Sequence, residues 1–139
     1  MSEMPSLQEV NAFFEKAFPG SGARPVITEM RENEAVARLE AGAQHRRPGN
    51  YVSGPTQMSL ADTVTYVAIF TRIGITPMTV TTSLNMTFLR PLIADVVIAR
   101  AKLLTLGRTL AVAEVDIRAE GSEKAASHAV VTYAIPKGD

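Results

Sequence analysis

Apolar residues recur at helical spacing in two segments of the chain and at strand spacing in most of the rest. Ser6-Leu-Gln-Glu9 is a capping-box pattern, in which hydroxyl and carboxylate satisfy free N–H groups at a helix start. Leu7, Val10 and Phe14 follow at helical spacing, and Phe18-Pro-Gly is a stop, so a short amphipathic helix is predicted from Ser6 to Ala17. Pro25 to Met30 reads as a strand. Glu34 to Glu40 alternates, with Ala35, Ala37 and Leu39 on one side and Glu34, Arg38 and Glu40 on the other, the pattern of a half-buried strand. His45 to Gly54 is rich in Arg, Pro, Gly and Asn and reads as a loop. Pro55 then suits the first position of a helix running to about Ile73. Its apolar residues, among them Met58, Leu60, Ala61, Val64, Tyr66, Val67, Ala68, Ile69 and Phe70, occupy every side, which predicts a buried helix.

Beyond Gly74 the texture is β. Thr79 to Phe88 is rich in β-branched residues and stops at Arg90-Pro91. Val96 to Leu106 and Thr109 to Arg118 flank Gly107-Arg108, a hairpin link in which Gly is expected to supply a positive φ. Glu120 to Lys124 is a further turn, and Ala125 to Ile135 is the last strand. Strands that follow one another without intervening helices predict an α+β fold, an antiparallel sheet packed on a helix.

The chain has 139 residues, 46% hydrophobic and 20% charged, the profile of a folded globular protein of one-domain size. Fourteen Lys and Arg balance fourteen Asp and Glu, so no basic excess draws the chain to nucleic acid or an anionic membrane. Cysteine is absent, which removes disulfides, thiolate metal sites and Cys nucleophiles, and with only His45 and His128 no metal site is expected. The opening Met1-Ser-Glu-Met-Pro lacks the features of a signal peptide, and no run of about 18 apolar residues occurs. A cytoplasmic chain is expected, with residues 1–139 as one domain: 1–20 the N-terminal helix and lead-in, 55–73 the central helix, 79–135 the main strands.

Between Val52 and Thr71 the one carboxylate or cationic side chain is Asp62. A carboxylate on a buried apolar helix requires compensation, and burial moves a carboxyl towards the range useful to a general base. Hydrogen bonds from Thr63, Thr65 or a neighbouring loop are the purely structural alternative. Gly54 lies eight residues earlier, at the expected helix start. Backbone N–H groups and the positive end of the helix dipole converge there, and a glycine admits close approach of a carbonyl. The two positions are about 12 Å apart along the helix, too far to serve one carbonyl within one chain. An antiparallel helix from a symmetry mate would bring Asp62 of one copy to Gly54 of the other, which places the expected site at a dimer interface.

The stretch Ser53-Gly-Pro-Thr-Gln-Met-Ser-Leu-Ala-Asp62 resembles the His-Gly-Gly-x4-Leu-Ala-Asp signature of hotdog-fold acyl-CoA thioesterases of the phenylacetyl-CoA (PaaI-like) group. Val80-Thr-Thr-Ser-Leu-Asn-Met-Thr-Phe-Leu-Arg-Pro91 resembles the family strand that follows the central helix. Leu104-Thr-Leu-Gly-Arg-Thr-Leu-Ala-Val-Ala-Glu-Val115 resembles its glycine hairpin. The resemblance covers roughly Arg47 to Ile135. It implies a hotdog fold, a long central helix wrapped by an antiparallel sheet, assembled as dimers and often as homotetramers.

By this resemblance Asp62 is the catalytic carboxylate, as general base or nucleophile, and Gly54 donates its N–H to the thioester oxygen. Pro55 replaces the second motif glycine, and Ser53 stands where the family usually has His. Arg47 or Asn50, with Ser53, would lie near the carbonyl or attacking water. Thr81 and Ser83 match strand positions that contact the acyl group or water from the partner chain. Phe88, Arg90, Thr105, Leu106, Gly107, Arg108, Thr109 and Leu110 match coenzyme A-binding positions, with Arg108 the expected phosphate partner. Arg46 and Arg47 read as an exposed basic pair. The implied activity is hydrolysis of an acyl- or aryl-acyl-CoA to the free acid and coenzyme A, with no cofactor beyond the coenzyme A of the substrate. The alternative is an acyl-CoA binding module without turnover. A hydratase would look for an Asp–His pair that neither the helix nor its leading loop contains.

Overall fold

The structure, a computed structural model, describes residues 4–19 and 24–136. Gly20 of the expected helix stop and the first three residues of the chain lie outside the described residues. Two α-helices and eight strands follow in the order α1 (Leu7–Ala17), β1 (Val26–Arg31), β2 (Glu34–Glu40), β3 (Arg46–Arg47), β4 (Tyr51–Val52), α2 (Gly54–Ile73), β5 (Val80–Phe88), β6 (Val96–Leu106), β7 (Leu110–Ala119) and β8 (Ser127–Ala134). A 3-10 turn covers Ala43–His45. The predicted capping box is present: Glu9 N–H donates to the Ser6 hydroxyl at 3.1 Å, and Ser6 N–H donates to the Glu9 carboxylate at 2.9 Å.

Six strands form one antiparallel sheet in the order β1-β2-β6-β7-β8-β5, which wraps α2. Small side chains permit the wrap. Ala35, Ala37, Ala99, Ala101, Ala111, Ala113 and Ala129 are at most 1% exposed on the inner face of four adjacent strands. The bulk comes from the helix, where Val64, Val67, Ile69 and Phe70 are fully buried. Large side chains on one layer and methyl groups on the other fill the interface at close approach.

Helix α1 is sutured to the edge of this sheet. Val10 is fully buried, and the Phe13 ring packs on Tyr66 and Phe70 with centroids 6.2 and 5.7 Å away. The Asn11 side chain mimics a neighbouring strand, donating to Ile27 C=O at 3.1 Å and accepting from Ile27 N–H at 3.0 Å. That covers part of the β1 edge, which would otherwise offer unpaired backbone groups. At the opposite edge, no residue of β5 is fully buried, and Val80 and Phe88 are about half exposed.

Three local expectations are corrected. The span His45 to Gly54 is not wholly loop, because β3 and β4 pair across it, with Arg46 opposite Val52 and Arg47 opposite Tyr51. Its turn holds Gly49 and Asn50 at positive φ. Gly107 does not adopt a positive φ, and a Cβ there would make an ordinary contact with the Leu110 carbonyl, so the hairpin does not need glycine for its conformation. Finally, α2 is not buried all round: from Val64 to Thr71 it is, but Met58 is 40% exposed and Ser59 also faces outward.

The N-terminal half of α2 is anchored by a buried polar pair. Gln57, 4% exposed, donates to Val52 C=O at 3.1 Å and accepts from the Ser127 hydroxyl at 2.7 Å, tying the helix to β4 and β8. Gln57→Leu leaves a buried hydroxyl and carbonyl unpaired and is expected to destabilise the fold by about 2–4 kcal/mol. Urea unfolding checks this, with a lowered midpoint and unchanged slope expected.

Candidate active site

Asp62 is half-buried on α2, and its compensation comes from two strands rather than from Thr63 or Thr65. The Thr81 hydroxyl, at the start of β5, donates to Asp62 Oδ1 at 2.5 Å. The Tyr133 phenol, near the end of β8, donates to the same oxygen at 2.8 Å and to the Asp62 backbone carbonyl at 2.9 Å. Among the described residues no donor meets Oδ2. The carboxylate therefore has one oxygen fixed and one open.

The strand register explains why these groups converge. Thr81 pairs directly with Tyr133 across β5 and β8, and the ladder slips between Thr81 and Ser83. Asp62 lies beneath that irregularity. Ser83, beyond the slip, is exposed and does not reach Asp62.

Asp62 opens onto a groove of about 550 Å³ whose walls include Phe14, Phe18, Tyr66, Pro77, Val80 and Tyr133. Arg24, Ser59, Thr63, Thr79 and Thr81 add polar groups to the lining, and a cavity of this size that combines apolar and polar walls suits a small-molecule site. Burial holds the Tyr133 phenol far above its ordinary value, the Thr81 hydroxyl opposes this in part, and the Asp62 charge adds to it. Tyr66 is raised for the same first reason, with Asp62 again contributing. Tyr133 thus stays a protonated donor throughout the working range of pH.

A second cluster surrounds the start of α2. Ser53 is the N-cap: its hydroxyl accepts from Thr56 N–H at 3.2 Å and donates to the Thr56 hydroxyl at 2.8 Å. The His45 carbonyl receives Ser53 N–H at 2.8 Å, which fixes the entering chain. Among the described residues Gly54 N–H meets no acceptor. The Phe88 ring lies over Gly54 so closely that an added Cβ would come within 3.3 Å of it. Arg90 follows, donating from Nη1 to the Ala125 carbonyl.

Arg46 is no exposed cation. Its side chain is only 16% exposed and donates to the Ala41 and Ala94 carbonyls at 3.2 and 2.9 Å, stapling the β3–β4 segment. Arg47 and Asn50 are exposed at the tip of that segment, and neither lines the Asp62 groove.

The site residues thus fall into two groups within one chain. Asp62, Thr81 and Tyr133 lie at the end of the sheet where Val80, Ala134 and Leu110 meet, beside the hairpin from Thr105 to Leu110. Ser53, Gly54, Phe88 and Arg90 lie at the other end, where Phe88 pairs with Ser127. Phe88 is eight residues along the strand from Val80, roughly 25 Å. The residues expected to bind coenzyme A are divided the same way. Tyr133 had not been singled out in the sequence, and no motif marks it; only the register of β5 against β8 does.

The family model described as thioesterase superfamily matches residues 49–126, the span containing the helix shared by both clusters and three of the six strands of the sheet. The chain belongs to the thioesterase superfamily. It is a hydrolase acting on thioester bonds, with the hotdog fold. A solved candidate thioesterase from Silicibacter sp. TM1040 is 32% identical, over 98% of this chain and 95% of that one, with a TM-score of 0.87. A mutant of the phenylacetic acid degradation protein PaaI from Thermus thermophilus is 28% identical, over 88% of this chain and 98% of that one, with a TM-score of 0.70. Thioesterase superfamily member 2 of zebra fish shares the fold at 22% identity and a TM-score of 0.83, covering 95% of this thioesterase and 99% of that chain. No match is found among curated proteins. No helix among the described residues is long and apolar enough to cross a membrane.

The two raised tyrosines give this thioesterase a defined alkaline limit. The folded state holds their protons more tightly than the unfolded chain. Their contribution is therefore complete below about pH 10 and is lost as pH rises beyond it. Melting temperature should fall steeply above about pH 10 in the wild type, and Tyr133→Phe should make that fall shallower.

Proposed function

We propose that this thioesterase hydrolyses an acyl- or aryl-acyl-CoA, and that each active site is built from two copies of the chain. The observation that carries the reading is the Asp62 carboxylate, with one oxygen held by two hydroxyls and the other open to a groove with aromatic walls. In this reading Oδ2 takes a proton from a water molecule. The water oxygen attacks the thioester carbon, and the Gly54 N–H of the partner copy receives the charge that develops on the carbonyl oxygen. The carbon–sulfur bond then breaks, and the proton passes to the departing thiolate. Tyr133 and Thr81 orient Asp62 and do not exchange protons themselves.

The twofold arrangement is supported by what each chain leaves uncovered. Edge strand β5 and the outward side of the first half of α2, with Met58 and Ser59, are exposed and adjoin both half-sites. An isologous contact through these elements sets Asp62 and the hairpin of one copy against Gly54, Phe88 and Arg90 of the other. The roles of the remaining residues follow from that pairing. Arg108 and Arg90 supply cations to the phosphates, Phe88 and Thr105 to Leu110 flank the pantetheine arm, and Arg47 and Asn50 approach from the β3–β4 turn. Ser53 contributes by capping the helix that presents Gly54, and Ser83 lies along the contact strand. The PaaI relative is described by its part in phenylacetic acid degradation, which supports an aryl-acyl group as one substrate class.

Asp62→Asn keeps an acceptor for Thr81 and Tyr133 but cannot take a proton. Hydrolysis over a panel of short, long and aromatic acyl-CoAs should fall a hundredfold or more, about what removal of a general base costs, while acyl-CoA affinity survives. Retained turnover in Asp62→Asn would instead favour a site elsewhere. Wild-type binding without turnover would favour the non-catalytic module.

A further inference from the structure

We infer that α1 is the end wall of the acyl groove and that Arg24 sets its position, so that these elements decide how long an acyl group the site accepts. The inference rests on the reading of the Asp62 groove as the acyl site. Tyr66 is one helical turn beyond Asp62 on α2 and lines the groove next to it. The Phe14 ring meets Tyr66 edge-on with centroids 6.0 Å apart, and Phe18 stacks on Phe14 at 5.8 Å. An acyl group entering at Asp62 therefore passes Tyr66 and runs into two aromatic rings, Phe14 on α1 and Phe18 at its C-cap.

One side chain ties down the backbone that carries both rings. Arg24 donates from Nη1 to the Phe14 carbonyl and from Nη2 to the Phe18 carbonyl, both at 2.6 Å. These are carbonyls at the C-terminal end of α1, where a cation also meets the negative end of the helix dipole. The guanidinium thus fixes the backbone at both residues whose rings close the groove. Val10 and Asn11 hold the other side of α1 to the core and to β1, while Phe13 packs both on the core ring of Phe70 and on the wall rings of Tyr66, Phe14 and Phe18. Planar bidentate donation of this kind is not available to a lysine ammonium. Arg24 borders the groove itself, but its two terminal nitrogens are engaged by backbone, so its part in the wall is to position the two rings.

The test is kcat/KM of the full chain on straight-chain acyl-CoAs from short to long, expressed as the long-to-short ratio. That ratio is independent of the folded fraction, so partial misfolding of a variant does not imitate the effect. Phe14→Ala and Phe18→Ala should each raise the ratio about tenfold or more, the scale on which pockets discriminate apolar groups. Arg24→Ala should raise it likewise, with Arg24→Lys between wild type and Ala. Phe14→Trp, which thickens the wall, should lower it. An unchanged ratio across these variants in an active enzyme would overturn the inference and leave the assigned activity intact. A wild type that hydrolyses no acyl-CoA would overturn the acyl-CoA reading and this inference with it.

Discussion

A helix is a rigid ruler, and the geometry of the site depends on where two groups sit along one. Gly54 and Asp62 are eight residues apart on α2, about 12 Å along the axis. One chain supplies a carboxylate with an open oxygen at one position and a backbone donor at the other, each embedded in its own set of strands. No side-chain rearrangement shortens that distance. A single thioester can be polarised by one and attacked through the other only when the helix of a second copy lies antiparallel beside the first.

The sheet serves this geometry in three ways. Its inner alanines bring the strands close around α2, which leaves the helix position with little freedom. The pairing of β5 with β8 then fixes Thr81 beside Tyr133, so that both hydroxyls reach the same carboxylate oxygen. The buried Gln57–Ser127 contact holds the Gly54 end of the helix against the opposite end of β8. One strand, β8, thus touches α2 at both clusters.

Much of this was legible in the chain. The capping box at Ser6, the alternation from Glu34 to Glu40, the long apolar helix and the glycine hairpin all express local periodicity or turn chemistry, and the elements lie where those rules put them. Asp62 was legible as an ionic group without neighbours of its kind. Its partners were not, because Thr81 and Tyr133 are 19 and 71 residues away and meet it only through strand register. Arg46 and Arg47 look alike in sequence, yet one is enclosed by three backbone segments and the other is exposed, a difference created by the β3–β4 pairing. Gly107 shows the converse error: a glycine at a hairpin suggested a positive φ that the turn does not use.

Subunit complementation tests the shared site most directly. Asp62→Asn removes the carboxylate, and Gly54→Pro removes the backbone donor, so each homodimer lacks a working site. Dissociating and reassembling the two variants together should restore hydrolysis, because every mixed dimer then carries one site with both groups intact and one with neither. Activity that stays at the level of the separate variants, with mixed dimers confirmed to form, would contradict a site divided between chains.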